Sequence, residues 1–161
     1  MPSFTHIDTE GQVRMVDVTA KDPTDRTAVA QSVISMNPQT FEMIRNQTVK
    51  KGNVLETARI AGIMAAKKTA YIIPMCHPLL ITHIQIDFFP DTATNSIRIE
   101  ASVRIIGPTG VEMEALTAVS VAALTIYDMC KSYDRAMTIF DIFVLEKSGG
   151  KSGTYNRKQT A

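Results

Sequence analysis

Four short segments of this 161-residue chain hold side chains that could do chemistry. Asp128 and Lys131 are spaced i, i+3, so on a helix they face the same side. Such a pair is either a plain surface ion pair or an acid/base couple whose lysine is tuned by charge and burial. Lys50-Lys51-Gly52-Asn53 precedes a helix-like run. Lysines are disfavoured at the positive end of a helix dipole, and a bound anion would relieve that strain; two solvated loop lysines are the simpler reading. Pro74-Met75-Cys76-His77-Pro78 sets a histidine between two prolines that stiffen the backbone, which suits a ligand-facing or a structural His equally. Cys76, His77 and His83 make a poor zinc set, with two adjacent ligands and no fourth, so no metal is expected. Lys147-Ser148-Gly149-Gly150-Lys151-Ser152 resembles a phosphate loop superficially. A nucleotide-hydrolase loop needs glycine where Leu145 stands and a long helix afterwards, so it is rejected as one. A basic tail that closes on phosphate remains open.

The elements that must position these residues follow from periodicity. Thr27 to Met36 reads as a strand of small and branched residues. Pro38 opens a short helix to Gln47, and Asn53 caps a second that runs to Ala70. Thr82 to Phe89 and Ile97 to Ile105 alternate apolar and polar residues, and Pro90, Asp91 and Asn95 join them as a hairpin. Thr109 to Lys131 reads as a long helix with a Thr109/Glu112 capping box, and Thr138 to Leu145 as a last strand. With the two adjacent helices merged, the order is βαββαβ. It predicts an α+β, ferredoxin-like sandwich: an antiparallel sheet with helices on one face, plus an extra short helix. Residues 1–161 read as one domain, with 1–26 and 148–161 as looser arms.

On the long helix, Ala115, Ala118, Val119, Ala122, Ala123 and Ile126 fall on one apolar face. The opposite stripe carries Glu114, Thr117, Ser120, Asp128 and Lys131, but also Val121 and Leu124, which suggests a subunit contact. Glu112 and Asp128 are sixteen positions apart, about 24 Å along a straight helix. One small substrate cannot reach both within a single subunit. If both act, the site is shared between chains.

Composition bounds what the chain can be. Its 17 Lys+Arg against 16 Asp+Glu give a net charge of +1, which argues against an extended nucleic-acid footprint. Hydrophobic residues make up 45%, too many for a disordered chain at that charge. The two cysteines form no CxxC pair and no secretory leader is visible, so a cytoplasmic protein is expected. Ala115 to Tyr127, the longest uncharged stretch tested as a membrane span, is too short for one.

Taken together the motifs resemble the molybdenum cofactor biosynthesis protein C family. The resemblance is carried by Met15-Val16-Asp17-Val18, Ala58-Arg59-Ile60-Ala61-Gly62-Ile63 and Ile73-Pro74-Met75-Cys76-His77-Pro78-Leu79. It extends through Thr109-Gly110-Val111-Glu112-Met113-Glu114-Ala115-Leu116-Thr117, Leu124-Thr125-Ile126-Tyr127-Asp128-Met129-Cys130-Lys131 and the 147–153 segment, nearly the whole chain. Departures are Asn53 where Asp is usual, Met75 for Leu, and Pro108 where a basic residue is common. The resemblance implies a lyase that turns 3′,8-cyclo-7,8-dihydroguanosine triphosphate into cyclic pyranopterin monophosphate and diphosphate, without a cofactor. It implies catalytic roles for Lys51, Asp128 and Lys131. Met75, Cys76, His77, Met113 and Glu114 would lie against the substrate, with Glu112 and Lys147 nearby. It further implies a homohexamer, a trimer of dimers with sites at subunit boundaries. Two other readings stand beside it: a regulatory module that binds a small anion, for which Lys51, Asp128 and Lys131 are superfluous, and an interaction protein without nucleotide affinity.

Overall fold

The computed structural model describes residues 10–151 and 153–157. In chain order it forms β1 (Thr24–Ser35), α1 (Pro38–Arg45), α2 (Val54–Ala66), α3 (Thr69–Ile72), β2 (His83–Asp91), β3 (Ser96–Gly107), α4 (Glu112–Cys130), β4 (Thr138–Ser148) and β5 (Tyr155–Asn156). The strands make one antiparallel sheet in the order β2-β3-β1-β4-β5. Apart from the short β5, this is the ferredoxin-like order that the element pattern predicts.

Alternation in the strands sets the layers. Ile97, Ile99, Ala101, Val103 and Ile105 of β3 are buried, as are Ala28, Ala30 and Ile34 of β1. The helices cover that face: α4 lies against β1, β3 and β4, while α2 packs on β2 and alongside α4. Alanines on α4 bring its backbone close to the sheet, close enough for the Ser32 hydroxyl to donate to the Val119 carbonyl at 3.0 Å. The α2–α4 crossing is tight at Gly62, where a Cβ would lie 2.8 Å from the Ala118 oxygen.

Several expectations shift at element ends. The second helix does not continue to Ala70. It stops at Ala66, and the Thr69 hydroxyl bonds back to the Ala66 carbonyl at 3.0 Å as α3 begins. Gln47, at φ 54, lies beyond the end of α1, which stops at Arg45. The hairpin turn forms as expected: Asp91 accepts from Ala93 N and Thr94 Oγ1, and Asn95 takes φ 48.

The capping box is absent. Helix α4 starts at Glu112 behind Val111, which makes no side-chain cap. The Glu112 carboxylate folds over Gly110 and pairs with Lys147 at 3.1 Å, so it is not engaged as a cap. Glu114, which helical projection places on the outer stripe read as a subunit contact, is already buried within the single chain, at 4% exposed.

The expected arms are partly built into the sheet. Residues 24–26 belong to β1, and β4 runs past Leu145 to Ser148, its pairing with β1 shifting register between Phe140 and Phe143, where Asp141 has φ 51, and again at Leu145. Beyond Gly149 and Gly150 the chain returns as β5, pairing Lys147 with Tyr155. Residues 1–9, 152 and 158–161 of those arms lie outside the described residues. Helix α4, at 19 residues, is long and apolar enough to cross a membrane by length and composition, unlike the shorter stretch read from sequence. Its buried face is filled by the sheet and α2, which is the packing of a core helix.

Candidate active site

The site residues expected from sequence gather at the two ends of α4. At its C-terminal end, Lys131 Nζ bonds Asp128 Oδ1 at 2.7 Å, and Lys51 Nζ donates to the Asp128 carbonyl oxygen at 3.0 Å. The local sequence explains the meeting. Gly52, at φ 103, closes a turn onto the Val49 carbonyl, and Asn53 caps α2 by accepting from Glu56 N. That turn places Lys51 beside the last turn of α4, where carbonyls point outward and a cation is favoured. A carboxylate near a helix C-terminus is disfavoured by the dipole, and the two lysines offset this. The Lys131 hydrogen bond and charge, with Lys51 behind them, hold the Asp128 carboxyl below its ordinary value. In return Asp128 pushes the Lys131 ammonium up. All three groups are open to solvent.

The N-terminal end of α4 carries the other set. Met75, Cys76 and His77 face Glu112, Met113 and Glu114 across a cavity of about 320 Å³. His77 Nε2 lies 2.8 Å from the Val16 carbonyl oxygen, an acceptor, so Nε2 holds a proton. Burial pushes the Glu114 carboxyl up to about 7, and the nearby Glu112 carboxylate adds to the rise. Burial, with a contribution from Glu114, also raises the Cys76 thiol. A neighbouring cavity of about 680 Å³ shares Lys21, Thr109, Gly110 and Glu112 with the first and is bordered by Lys147, Gly149 and Gly150.

Two cations at this end escaped the sequence reading. Arg26, in β1, donates from Nε to Gly107 O at 2.9 Å and from Nη2 to Pro108 O at 3.1 Å. Its partners are 81 and 82 residues away, so no local spacing signals it. A Cβ on Gly150 would meet Arg26 Nη1 at 2.1 Å, and one on Gly149 would meet Asp25 O at 2.1 Å. Both glycines also have positive φ, so the glycine pair in the KSGGKS segment serves backbone approach to the end of β1. Lys21, from the segment before β1, borders both cavities.

The structure thus brings Lys51, Asp128 and Lys131 together, and separately Met75, Cys76, His77, Glu112, Met113, Glu114 and Lys147. It does not join the two sets within one chain, because α4 holds Glu112 and Asp128 about 24 Å apart. The first set offers fixed cations flanking a carboxylate. The second offers a sheltered carboxyl that titrates near neutrality beside a cationic rim. Arrangements of this kind suit proton relay and the binding of a multiply charged anion.

The MoaC family profile matches residues 15–150. A cyclic pyranopterin monophosphate synthase of Desulfatibacillum aliphaticivorans is 64% identical over 155 residues, covering 96% of this chain and 98% of that one. The protein of the same name from Desulforapulum autotrophicum is 63% identical over 96% of this chain and 95% of its own length. That of Methylobacterium nodulans is 59% identical over 96% of this chain and 97% of its own. With a profile spanning most of the sequence and full-length relatives well above half identical, this chain belongs to the MoaC family.

Proposed function

We propose that the protein is a cyclic pyranopterin monophosphate synthase. It is a lyase of molybdenum cofactor biosynthesis that takes 3′,8-cyclo-7,8-dihydroguanosine triphosphate and releases cyclic pyranopterin monophosphate and diphosphate. The observation that carries this reading is the Lys51–Asp128–Lys131 cluster at the end of α4, with Asp128 between two ammonium groups. Rebuilding a cyclised purine nucleotide as a pterin takes several proton transfers, which lysines and a carboxylate relay. Closing a cyclic phosphate while diphosphate leaves requires cations on the developing charge. Lys51, Asp128 and Lys131 act as the acid/base set, and Lys147 helps hold phosphate. Met75, Cys76, His77, Glu112, Met113 and Glu114 seat the rest of the nucleotide.

The two ends of α4 favour a site completed between copies, the C-terminal end of one chain meeting the N-terminal end of another. A homohexamer built as a trimer of dimers supplies such boundaries. The exposed Leu124 and the half-buried Val121 on the outer side of α4 fit a contact of this kind. Free thiols at Cys76 and Cys130 suit a reducing, cytoplasmic setting.

The test is incubation with the cyclo-nucleotide and mass detection of the cyclic pterin phosphate and diphosphate. Lys51→Ala and Lys131→Ala are each expected to lose about a hundredfold or more in turnover. Near-normal turnover in both would sink the assignment. Mixing Lys51→Ala with Glu112→Gln protein should restore part of the activity if the halves come from different chains. No recovery despite subunit exchange would refute the shared site.

A further inference from the structure

We propose that residues 12–22 form a strap over the Cys76–Glu114 cavity, latched by His77, that closes on the bound nucleotide and brings Lys21 onto its phosphates. This rests on the substrate reading above and adds to it a moving part and a binding residue.

The first observation is where the strap lies. Val16, Val18 and Lys21 border the cavity whose far wall is Cys76 and Glu114. The pattern of exposure agrees with a cover: Val16 and Val18 are half-buried, while Met15, Asp17 and Thr19 between and beside them face outward. Two apolar side chains therefore roof the cavity.

The second observation is how lightly the segment is held. No residue from 10 to 22 is buried, so the strap adds nothing to the core and opening it exposes little apolar surface. Its middle is tied to the body by the His77 ring, which donates to the Val16 carbonyl, and its start by a β-bridge at Val13. His77 is itself held between Pro74 and Pro78 on the loop after α3, a stiff post for a latch.

The third observation is the turn that follows the latch. Thr19 N donates to Asp17 Oδ1 at 2.9 Å, and Lys21 N donates to the Val18 carbonyl at 3.0 Å. This compact turn stands directly before Lys21, the strap residue that borders both the 320 Å³ and the 680 Å³ cavities. Arg26, Lys147 and Lys151 border the larger one, so closure adds a fourth cation to a region already basic. A triphosphate favours the closed strap because Lys21 then meets charge that it lacks in the empty protein.

Steady-state kinetics and hydrogen exchange on the full chain test this. Lys21→Ala should raise the KM for the cyclo-nucleotide about tenfold, with kcat falling less than KM rises, because most of its contact with the triphosphate is already made in the ground state. Lys21→Arg should restore most of the affinity. The amides of residues 12–22 should exchange at least several times more slowly in Lys131→Ala protein loaded with the cyclo-nucleotide than in the empty protein. An unchanged KM in Lys21→Ala overturns the proposal. So does equally fast exchange of residues 12–22 with nucleotide bound. The substrate reading fails by a different result, sustained turnover in Lys51→Ala and Lys131→Ala.

Discussion

Glu114 ties stability to pH in a way that one substitution exposes. Its carboxyl is 4% exposed and titrates at about 7, against an ordinary 4.5. The main cause is burial, and Glu112 adds to it. A folded-state value above the unfolded one means that the folded protein binds the proton more tightly. Relative stability is therefore fully present below pH 4.5 and is lost as pH rises towards 7. At about 1.4 kcal/mol per pH unit, the ionised carboxylate costs the fold about 3 kcal/mol above neutrality. Glu114→Gln keeps the shape and removes the charge. The variant should match the parent near pH 4.5 and exceed it by up to about 3 kcal/mol at about pH 8.5. In thermal melts that is about 6–12 °C for a chain of this size. Denaturation of both proteins across that pH range is the assay. A difference that stays flat with pH would refute the reasoning, because Glu114 would then not titrate inside the fold.

Other outcomes follow from packing and capping. Gly62→Ala places a Cβ 2.5 Å from Ile86 Cδ1 and 2.8 Å from Ala118 O; since the second atom is backbone, α2 and α4 must separate, at about 1–3 kcal/mol in chemical denaturation. Asn53→Ala removes the acceptor for Glu56 N and should cost about 1 kcal/mol, with a loss of turnover beyond that from stability alone because the same turn holds Lys51. Burial pushes the Cys130 thiol up to about 11. In native protein at pH 8 it should react with a thiol reagent no faster than the fold opens, whereas the half-buried Cys76 should react first; rapid labelling of Cys130 would contradict its burial.

Local patterning carried the fold a long way. The two alternating strands with an Asp–Asn turn between them, the alanine-rich helix and the Asn53 cap are properties of neighbours a few residues apart, and each appears where its pattern put it. What failed is equally specific. Thr109 and Glu112 have the spacing of a capping box, but Glu112 is taken by Lys147 on a strand 35 positions further along the sequence. Helical projection put Glu114 on an outer stripe, whereas the fold buries it beside a cavity that Met75 to His77 also line, while Leu124 and Asp128 of the same stripe stay exposed.

The sequence alone determined the element order and the ferredoxin-like class, and it singled out the groups proposed to carry chemistry. It also determined that Glu112 and Asp128 stand too far apart on one helix to serve one small ligand, since helix rise per residue is a constant. Tertiary structure alone decided which cations meet which carbonyls. Lys51 finds Asp128 from 77 residues away, and Arg26 finds Gly107 and Pro108 across the sheet. It also decided the proton affinity of Glu114. Burial and contact depend on what the rest of the chain places around a residue, and no local spacing records that.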